Sequence, residues 1–406
     1  MNNSKPLYVM VKPVGAECNL RCKYCYYLEK SYMYNKRKLS DYLMSEELLE
    51  RFIIQYIDAQ PTPEIVFTWH GGEPLLHKLD FYKKAIELQK KYGNGKKIEN
   101  VLQTNGTLIT DEWCKFFKRN NFLIGVSIDG AKTMHNINRH NMGGGSTFDQ
   151  VMRGVNLLNK HKVDWNAMAT VNSYNADYPK EFYAFFKSIN CQYLQFTPVV
   201  ERILQHKDGR HLASAAEQLN ESQIAPFTVS AKQWGNFLCE VYDEWVKEDV
   251  GKVFVQIFDS TLANWVGAPP SVCTMCKDCG HALVMEHNGD LYSCDHYVFP
   301  EYKLGNIDTQ FIKKMANSDR QGRFSTAKSG MLPRECRECE YLFACNGGCP
   351  KDRFIKTSEL GNNKSFLCEG YHKFFHHVAE DMDFMKNELL NNRPPANVMQ
   401  WIKTKG

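Results

Sequence analysis

The sequence predicts an α/β protein whose first half consists of repeated strand–helix units and whose second half is a cysteine-rich domain. Between residues 8 and 200, short apolar runs alternate with amphipathic segments. Repeated units of this kind imply a parallel sheet, open or closed into a barrel. Polar or glycine-containing loops follow several of the runs, as expected where a parallel sheet carries its functional loops. Nine of the 15 cysteines lie between Cys273 and Cys368.

The elements of the first half can be placed in order. Ser45 is a suitable helix N-cap, because Glu46 and Glu47 fill the first turn and apolar residues recur after it. Strands are predicted within 9–13, 65–74, 101–107, 122–130, 164–172 and 191–200, where 65–74 ends in a glycine turn and 101–107 includes the following loop. Helices are predicted from Ser45 onward and over 81–92, 111–118, 148–161, 180–188 and 231–247. The polar segment 201–230 is expected to be a surface excursion.

The composition is that of an ordinary globular protein, with 43% hydrophobic and 24% charged residues and a net charge of +4. So small a net charge argues against a nucleic acid or an acidic membrane as the partner. No stretch approaches the roughly 20 apolar residues that span a bilayer, and the N-terminal segment lacks the features of a signal peptide. We therefore expect a cytoplasmic protein, in which clustered cysteines bind metal more often than they form disulfides. The isolated Cys114, Cys191 and Cys239 are expected to be small buried apolar residues.

Cys18, Cys22 and Cys25 form a Cys-x3-Cys-x2-Cys loop soon after the first predicted strand. Three thiolates on one short loop can hold three corners of a [4Fe-4S] cube and leave the fourth iron open to a small molecule. A zinc loop or a redox pair is the alternative, but no second pair of zinc ligands follows nearby in the sequence. The spacing therefore favours a cluster with one open iron.

Three further loops follow predicted strands. Gly71-Gly72-Glu73-Pro74 combines glycines that allow close backbone approach to a ligand with a carboxylate that suits an ammonium group. Thr104-Asn105-Gly106 and the segment 127–130 (Ser-Ile-Asp-Gly) come after the next two strands. Ordinary turn chemistry explains these last two equally well.

The cysteines of the second half form a continuous framework. Cys336-x2-Cys339-x5-Cys345-x3-Cys349, followed by Cys368, is a strong pattern for binding a soft metal. A double zinc ribbon is the alternative interpretation. A cluster with four cysteine ligands has no open iron, so it suits electron transfer better than substrate binding.

Together these motifs resemble the radical S-adenosylmethionine (SAM) enzymes that carry a C-terminal SPASM domain. The resemblance implies a partial (β/α)6 barrel in which the loop of Cys18, Cys22 and Cys25 holds the SAM-binding cluster. The residues implied to contact SAM are Tyr24, Gly71, Gly72, Glu73, Gln103, Ser127 and Arg153. Of these, Ser127 and Arg153 would contact its carboxylate. The resemblance also implies two auxiliary [4Fe-4S] clusters, which makes three clusters in all. The ligands of the first auxiliary cluster would be Cys273, Cys279, Cys294 and Cys349, and those of the second would be Cys336, Cys339, Cys345 and Cys368. Cys276 is surplus to this pattern.

The segment Cys294-Asp295-His296 narrows the resemblance to the anaerobic sulfatase-maturating enzymes, where an Asp in this place is the proposed base. The implied activity is oxidation of a Cys or Ser in a sulfatase Cys/Ser-x-Pro-x-Arg motif to Cα-formylglycine. Asp295 would take the proton, an auxiliary cluster would take the electron, and His296 and Tyr297 would line the same pocket. The implied partners are an unfolded or newly made sulfatase and an electron donor such as flavodoxin or ferredoxin. The preference between Cys and Ser stays open.

Two other functions are weighed against this one. Another SPASM enzyme, forming thioether or carbon–carbon crosslinks in a small peptide, would often carry a leader-recognition domain, and only about 17 residues precede the first cysteine. A zinc-ribbon interaction protein is disfavoured by the near-neutral charge balance. The expected domains are a barrel over 1–235, a helical linker over 236–269, and a SPASM domain with a C-terminal helix over 270–406.

Overall fold

The computed structural model describes residues 6–34, 38–206, 209–213, 222–280, 282–359 and 361–404. The chain forms two compact units, each assembled from separated stretches of sequence. The first unit comprises residues 1–127, 138–165 and 280–325, and the second comprises residues 128–137, 166–279 and 326–406. The predicted domain limits near residues 235 and 269 divide the chain into continuous blocks instead, and they stay a prediction.

The first unit is built on a sheet whose central strand leads into the cysteine loop. Its parallel strands lie in the order Phe122–Ser127, Lys97–Thr104, Glu64–Trp69 and Tyr8–Val11. Tyr8–Val11 also pairs in parallel with Ala282–Met285 on its other edge, with Tyr8 opposite Ala282. The sheet then continues through the antiparallel strands Asp290–Tyr292 and Lys303–Asn306. Segments distant in sequence, around residues 12 and 290, are thereby brought into the same unit.

The helices of the first unit follow its strands. Ser45 caps the first of them, accepting a hydrogen bond from Leu48 N at 3.2 Å, as the sequence predicted. Its buried face includes Leu49, Phe52 and Ile53, which pack on the sheet side of the helix. The α-helices that lie wholly in this unit are Glu46–Ala59, Lys78–Tyr92, Asp111–Arg119, Phe148–Lys160 and Ile312–Ala316. Its 3-10 turns are Leu28–Tyr34, Leu39–Tyr42, Pro74–His77, Asp295–Tyr297 and Pro300–Tyr302.

The second unit contains the parallel strands Trp165–Val171, Tyr193–Pro198 and Phe254–Val255. Two long helices, Ala231–Glu248 and Cys368–Leu390, pack together where both carry a glycine. A Cβ on Gly370 would lie 2.2 Å from the carbonyl oxygen of Ala231, so this crossing excludes any side chain.

The remaining helices and strands of the second unit are short. Its other α-helices are Pro179–Ser188, Gln256–Trp265, Arg334–Arg337, Leu342–Cys345 and Val398–Trp401. Its other strands are Arg202–His206, Gly209–Leu212, Ser222–Ile224, Arg353–Ile355 and Lys364–Ser365. Helices Lys132–Asn138 and Asp319–Gly330 cross the limits between the units.

All six strands predicted before residue 200 are present, and the second and third end at the loops predicted within 65–74 and 101–107. The second strand stops at Trp69 because residues 70–73 turn away to pack on the cysteine loop. The fourth strand stops at Ser127. Part of the predicted excursion, 207–208 and 214–221, lies outside the described residues, and the rest forms a three-stranded sheet. No helix within the described ranges is long and apolar enough to cross a membrane.

Candidate active site

The loop that carries Cys18, Cys22 and Cys25 is held by its own backbone and by a neighbouring segment. Cys25 N donates to Cys22 O at 3.1 Å, and Leu20 N donates to Cys18 Sγ at 3.3 Å. Burial raises the pKa of both Cys18 and Cys25, so a thiolate is favoured there only when a cation replaces the proton. Three soft donors of this kind on one loop fit an iron–sulfur cluster.

The Gly-Gly-Glu-Pro turn packs directly on the start of this loop. Gly72 N donates to Gly15 O at 2.9 Å, and Glu73 N donates to Glu17 O at 2.8 Å. A Cβ on Gly72 would lie only 2.0 Å from Glu17 O, and Gly71 has a φ of +131°. Both positions therefore require glycine, one for close approach and one for backbone conformation.

Glu73 holds the neighbouring strand-end loop. Its Oε1 accepts from Leu75 N at 3.1 Å and Thr104 Oγ1 at 2.8 Å, and its Oε2 accepts from Asn105 N at 2.8 Å. Burial raises the pKa of Glu73 to about 7, although these hydrogen bonds oppose the change. Both carboxylate oxygens already have protein donors, so the structure gives Glu73 a positioning role. Its contact with a SAM ammonium group stays a prediction.

The Thr-Asn-Gly loop reaches back to the first cysteine. Asn105 Nδ2 donates to Asn19 Oδ1 at 2.8 Å and lies 3.8 Å from Cys18 Sγ. Asn19 Nδ2 in turn donates to Thr107 Oγ1 at 2.9 Å. These amides connect the cysteine loop to the end of a strand two positions away in the sheet. Asn19 was not predicted from the sequence, although an amide directly after a ligand cysteine was a usable signal.

The other predicted SAM contacts also belong to the first unit: Gln103 and Ser127 lie at the ends of strands, Arg153 on the helix Phe148–Lys160 and Tyr24 on the cysteine loop. Gln103 Nε2 donates to Ser127 Oγ at 3.0 Å, so these two side chains are neighbours, and their contact with SAM stays a prediction. Arg153 Nη2 donates to Thr107 O at 2.6 Å, which places its guanidinium against the Thr-Asn-Gly loop. The ring of Tyr24 is buried and lies 5.6 Å from the guanidinium carbon of Arg139.

Asp295 lies in a charged cluster with residues from the N-terminal strand and loop. The ammonium of Lys12, fully buried, lies 2.6 Å from Asp295 Oδ1, and the hydroxyl of Tyr26 donates to Asp295 Oδ2. Burial is the largest single influence and raises the pKa of Asp295, but Lys12, His70 and His296 together outweigh it and hold this pKa well below its usual range. The side chain of Asp295 keeps 16% of its surface exposed. The geometry therefore presents a carboxylate that is ionised and partly accessible.

His70 also belongs to this cluster, where it lies next to Lys12. Its Nδ1 accepts from Gly71 N at 2.7 Å, so Nδ1 carries no proton, and Lys12 Nζ lies 3.3 Å from the same atom. Burial, together with the charge of Lys12, lowers the pKa of His70 to about 3, and the imidazole is neutral. Neither Lys12 nor His70 was predicted from the sequence. The available signal was a lysine at the end of an apolar strand.

The two residues after Asp295 have different surroundings. The ring of His296 lies 4.6 Å from that of Tyr26, beside the Asp295 cluster. Tyr297 instead packs against Tyr302 at 4.8 Å and Phe324 at 5.2 Å. Of this predicted pair, His296 is brought to the cluster around Asp295, whereas Tyr297 contributes to the packing of the segment.

The second unit gathers four of the predicted auxiliary ligands around one cavity. This cavity, of about 450 Å³, is lined by Cys336, Cys339, Cys345 and Cys368, together with Tyr341, His372 and Phe375. Among the described residues, no three His, Cys, Asp or Glu side chains converge closely enough to hold a single metal ion. The thiolates of a cube-shaped cluster stand apart at its corners, so four cysteines around a cavity suit it.

The remaining predicted ligands are distributed between the units. Cys273, Cys279 and Cys349 belong to the second unit, and Cys294 belongs to the first. The thiol of Cys276 lies 3.7 Å from Val272 O and 3.8 Å from Pro270 O, so it faces carbonyls of its own loop. The assignment of these ligands stays a prediction.

Comparison with known proteins gives two family matches and several close relatives. The radical SAM superfamily profile matches residues 13–186, and the SPASM profile, an iron–sulfur cluster-binding domain, matches residues 276–340. A serine-type anaerobic sulfatase-maturating enzyme of Bacteroides thetaiotaomicron is 60% identical over 400 residues, 98% of this chain and 96% of that protein. A cysteine-type enzyme of Clostridium perfringens is 32% identical over 388 residues, 95% of this chain and 99% of that protein.

Comparison with solved structures also finds an enzyme of this kind. One described as native anSMEcpe with bound AdoMet and Cp18Cys peptide has a TM-score of 0.82 at 30% identity, covering 95% of this chain and 100% of that chain. The predicted α/β radical SAM fold with a C-terminal SPASM domain is thereby confirmed, and both domains imply iron–sulfur clusters and SAM. The chain belongs to the anaerobic sulfatase-maturating enzymes, a family of radical SAM enzymes.

Proposed function

We propose that this enzyme oxidises a Ser or Cys side chain in a sulfatase Cys/Ser-x-Pro-x-Arg sequence to Cα-formylglycine. The observation that carries the proposal is Asp295, a carboxylate in the same unit as the cysteine loop and fixed by Lys12 and Tyr26. A base is required because the product forms only if the hydroxyl or thiol of the substrate loses its proton.

The N-terminal site would hold two groups. Cys18, Cys22 and Cys25 would bind a [4Fe-4S] cluster, and the residues around them would bind SAM. When bound, these two groups supply a carbon-centred radical that removes one hydrogen atom from the substrate. The residues proposed to orient SAM are Tyr24, Gly71, Gly72, Glu73, Gln103, Ser127 and Arg153.

The other residues complete the balance of the reaction. Serine becomes an aldehyde by losing a hydrogen atom from its β-carbon, a proton from its hydroxyl and one electron. Asp295 would accept the proton, and Lys12 keeps the carboxylate ionised before the reaction. Tyr26 would fix its orientation. A cysteine would lose the same particles to give a thioaldehyde, which water converts to the aldehyde with release of hydrogen sulfide.

Two auxiliary [4Fe-4S] clusters would take up the electron. The cavity lined by four cysteines supports the set Cys336, Cys339, Cys345 and Cys368. The set Cys273, Cys279, Cys294 and Cys349 rests on the sequence pattern. With the N-terminal site, these sets give three clusters in all.

The relatives favour serine as the residue that is oxidised. The relative at 60% identity is named a serine-type enzyme, as is one of Klebsiella aerogenes at 37%, whereas the cysteine-type relative of Clostridium perfringens is 32% identical. The proposed partners are an unfolded or newly made sulfatase, whose target is still accessible, and a flavodoxin or ferredoxin as electron donor.

Paired peptides test the proposal. The iron-reconstituted enzyme would be incubated anaerobically with SAM, a strong reductant and a sulfatase-derived peptide that carries Ser, Cys or Ala at the target. Mass spectrometry should detect the aldehyde from the Ser peptide, slower conversion of the Cys peptide and none from the Ala peptide. Deoxyadenosine without any modified peptide would contradict the proposal and favour a different peptide substrate.

A further inference from the structure

A buried lysine lies against the loop that carries Cys273 and Cys276. Lys328 is 1% exposed and belongs to the same unit as this loop. Its Nζ lies 3.0 Å from Cys273 O and 2.9 Å from Thr274 O, and it also contacts Cys276 O. An ammonium group has three N–H donors, and here each one has a carbonyl acceptor. Burial lowers the pKa of Lys328, but a neutral amine would turn its lone pair toward a carbonyl, so the three carbonyl acceptors oppose loss of the proton.

A second cation connects this lysine to the other cysteine segment. Arg353 Nη1 donates to Lys328 O at 2.6 Å, and Arg353 Nε donates to Gly347 O at 2.9 Å, two residues before Cys349. Negative charge on Cys279, Cys349 and Cys273 would oppose the effect of burial on the pKa of Lys328, which places these three cysteines near its ammonium. A fixed positive charge therefore lies among three predicted ligands of one auxiliary cluster.

The carboxylate in this loop, that of Asp278, has a different hydrogen-bond partner. Asp278 accepts a hydrogen bond from Ser329 Oγ at 2.6 Å and is partly exposed, so solvent screens its charge. Lys328 is shielded from solvent, where a charge acts over several ångströms with little screening. A reduced cluster carries one more negative charge than an oxidised one, and nearby positive charge stabilises the reduced form.

We propose that Lys328 raises the reduction potential of the auxiliary cluster that Cys273, Cys279 and Cys349 help to hold. In the reaction proposed above, on which this role depends, the substrate gives up one electron after losing a hydrogen atom and a proton. An auxiliary cluster held by these cysteines would accept that electron and gain one negative charge. Lys328 makes this transfer more favourable without touching the substrate.

Redox titration of the auxiliary clusters tests the proposal in the absence of SAM and substrate. The full-length chain with Cys18→Ala, Cys22→Ala and Cys25→Ala removes the N-terminal cluster signal. In this background, Lys328→Met should lower the midpoint potential of one auxiliary cluster by about 59 mV. This shift corresponds to a tenfold change in the equilibrium constant for one-electron transfer. Lys328→Arg should stay near the parent value.

Lys386→Met is the matched control. Lys386 lies 18 residues beyond Cys368 on the same helix, about 27 Å along its axis at 1.5 Å per residue. Its replacement should leave both midpoint potentials unchanged. An unchanged midpoint in Lys328→Met, with iron content equal to the parent, would overturn the proposal.

Loss of iron is also an informative outcome. If Lys328→Met loses its cluster, Lys328→Gln, which keeps N–H donors for the carbonyls but no charge, takes its place and should show the lower midpoint. If every neutral variant loses iron while Lys328→Arg retains it, Lys328 has a structural role and the proposal is wrong. Because no substrate is present, these results do not depend on whether aldehyde formation is confirmed.

Discussion

Asp295→Asn is expected to stop aldehyde formation while cleavage of SAM remains measurable. Asparagine has nearly the same shape as aspartate but cannot take up the substrate proton. Removal of a general base typically lowers a rate about 10²–10⁴-fold. Asparagine keeps an oxygen that can accept from Tyr26, the residue after Cys25, so the cysteine loop should hold and deoxyadenosine should still form. Mass spectrometry of the peptide and chromatography of deoxyadenosine in the same reaction measure both quantities.

Two further variants make this result interpretable. Asp295→Asn leaves the buried Lys12 ammonium without its partner, and breaking a buried ion pair costs about 3–5 kcal/mol. The double variant Lys12→Met, Asp295→Asn removes both charges. It should be more stable than the single variant Asp295→Asn, yet form no aldehyde. Asp308→Asn, at a carboxylate with 49% of its side chain exposed, should behave as the parent. Aldehyde formation near the parental rate in a folded Asp295→Asn enzyme would sink the assignment of the base.

Gly72→Ala is expected to disrupt the N-terminal cluster. The added methyl group would lie 2.0 Å from the carbonyl oxygen of Glu17, which directly precedes Cys18. The loop must shift to relieve this contact, and overpacking of this kind costs about 1–3 kcal/mol. The expected result is a lower melting temperature, loss of iron from the N-terminal site and little deoxyadenosine. Iron analysis and thermal unfolding measure these changes.

Gly322→Ala is the matched control for this variant. Gly322 lies in the helix Asp319–Gly330, and beyond that helix's own backbone no atom of the described residues lies within 4 Å of the place that an added methyl group would take. Alanine is a better helix former than glycine, so stability should be unchanged or slightly higher. A Gly72→Ala protein with parental iron content and deoxyadenosine yield would show that the close contact does not position the cysteine loop.

Much of the fold follows from local sequence patterns. The six strands before residue 200 alternate with amphipathic helices, and Ser45 caps a helix as its sequence context indicates. The strand Ala282–Met285 was missed because its partner, Tyr8–Val11, lies more than 270 residues earlier. Pairing over such a distance leaves no local signal. The first unit also includes residues 280–325, far from its other residues in sequence. Composition could not predict this for the same reason.

The site was predictable where chemistry imposes a spacing on neighbouring residues. The cysteine loop, the glycine turn and Asp295 all carried such a signal. Lys12 and His70 did not, because Lys12 pairs with a carboxylate that lies more than 200 residues later and His70 joins the cluster through Lys12. Glu73 was recognised as a site residue, but its hydrogen bonds to the loop at 104–105 appear only in three dimensions.

The most direct test of the central claim follows a single hydrogen atom. A sulfatase peptide with deuterium on the β-carbon of its target serine would be converted under anaerobic conditions, beside a peptide deuterated only on the α-carbon. We predict that deuterium from the β-carbon appears in 5′-deoxyadenosine together with the aldehyde product, and that deuterium on the α-carbon stays in the peptide. Transfer from the α-carbon, or aldehyde formation without any label in deoxyadenosine, would contradict this prediction.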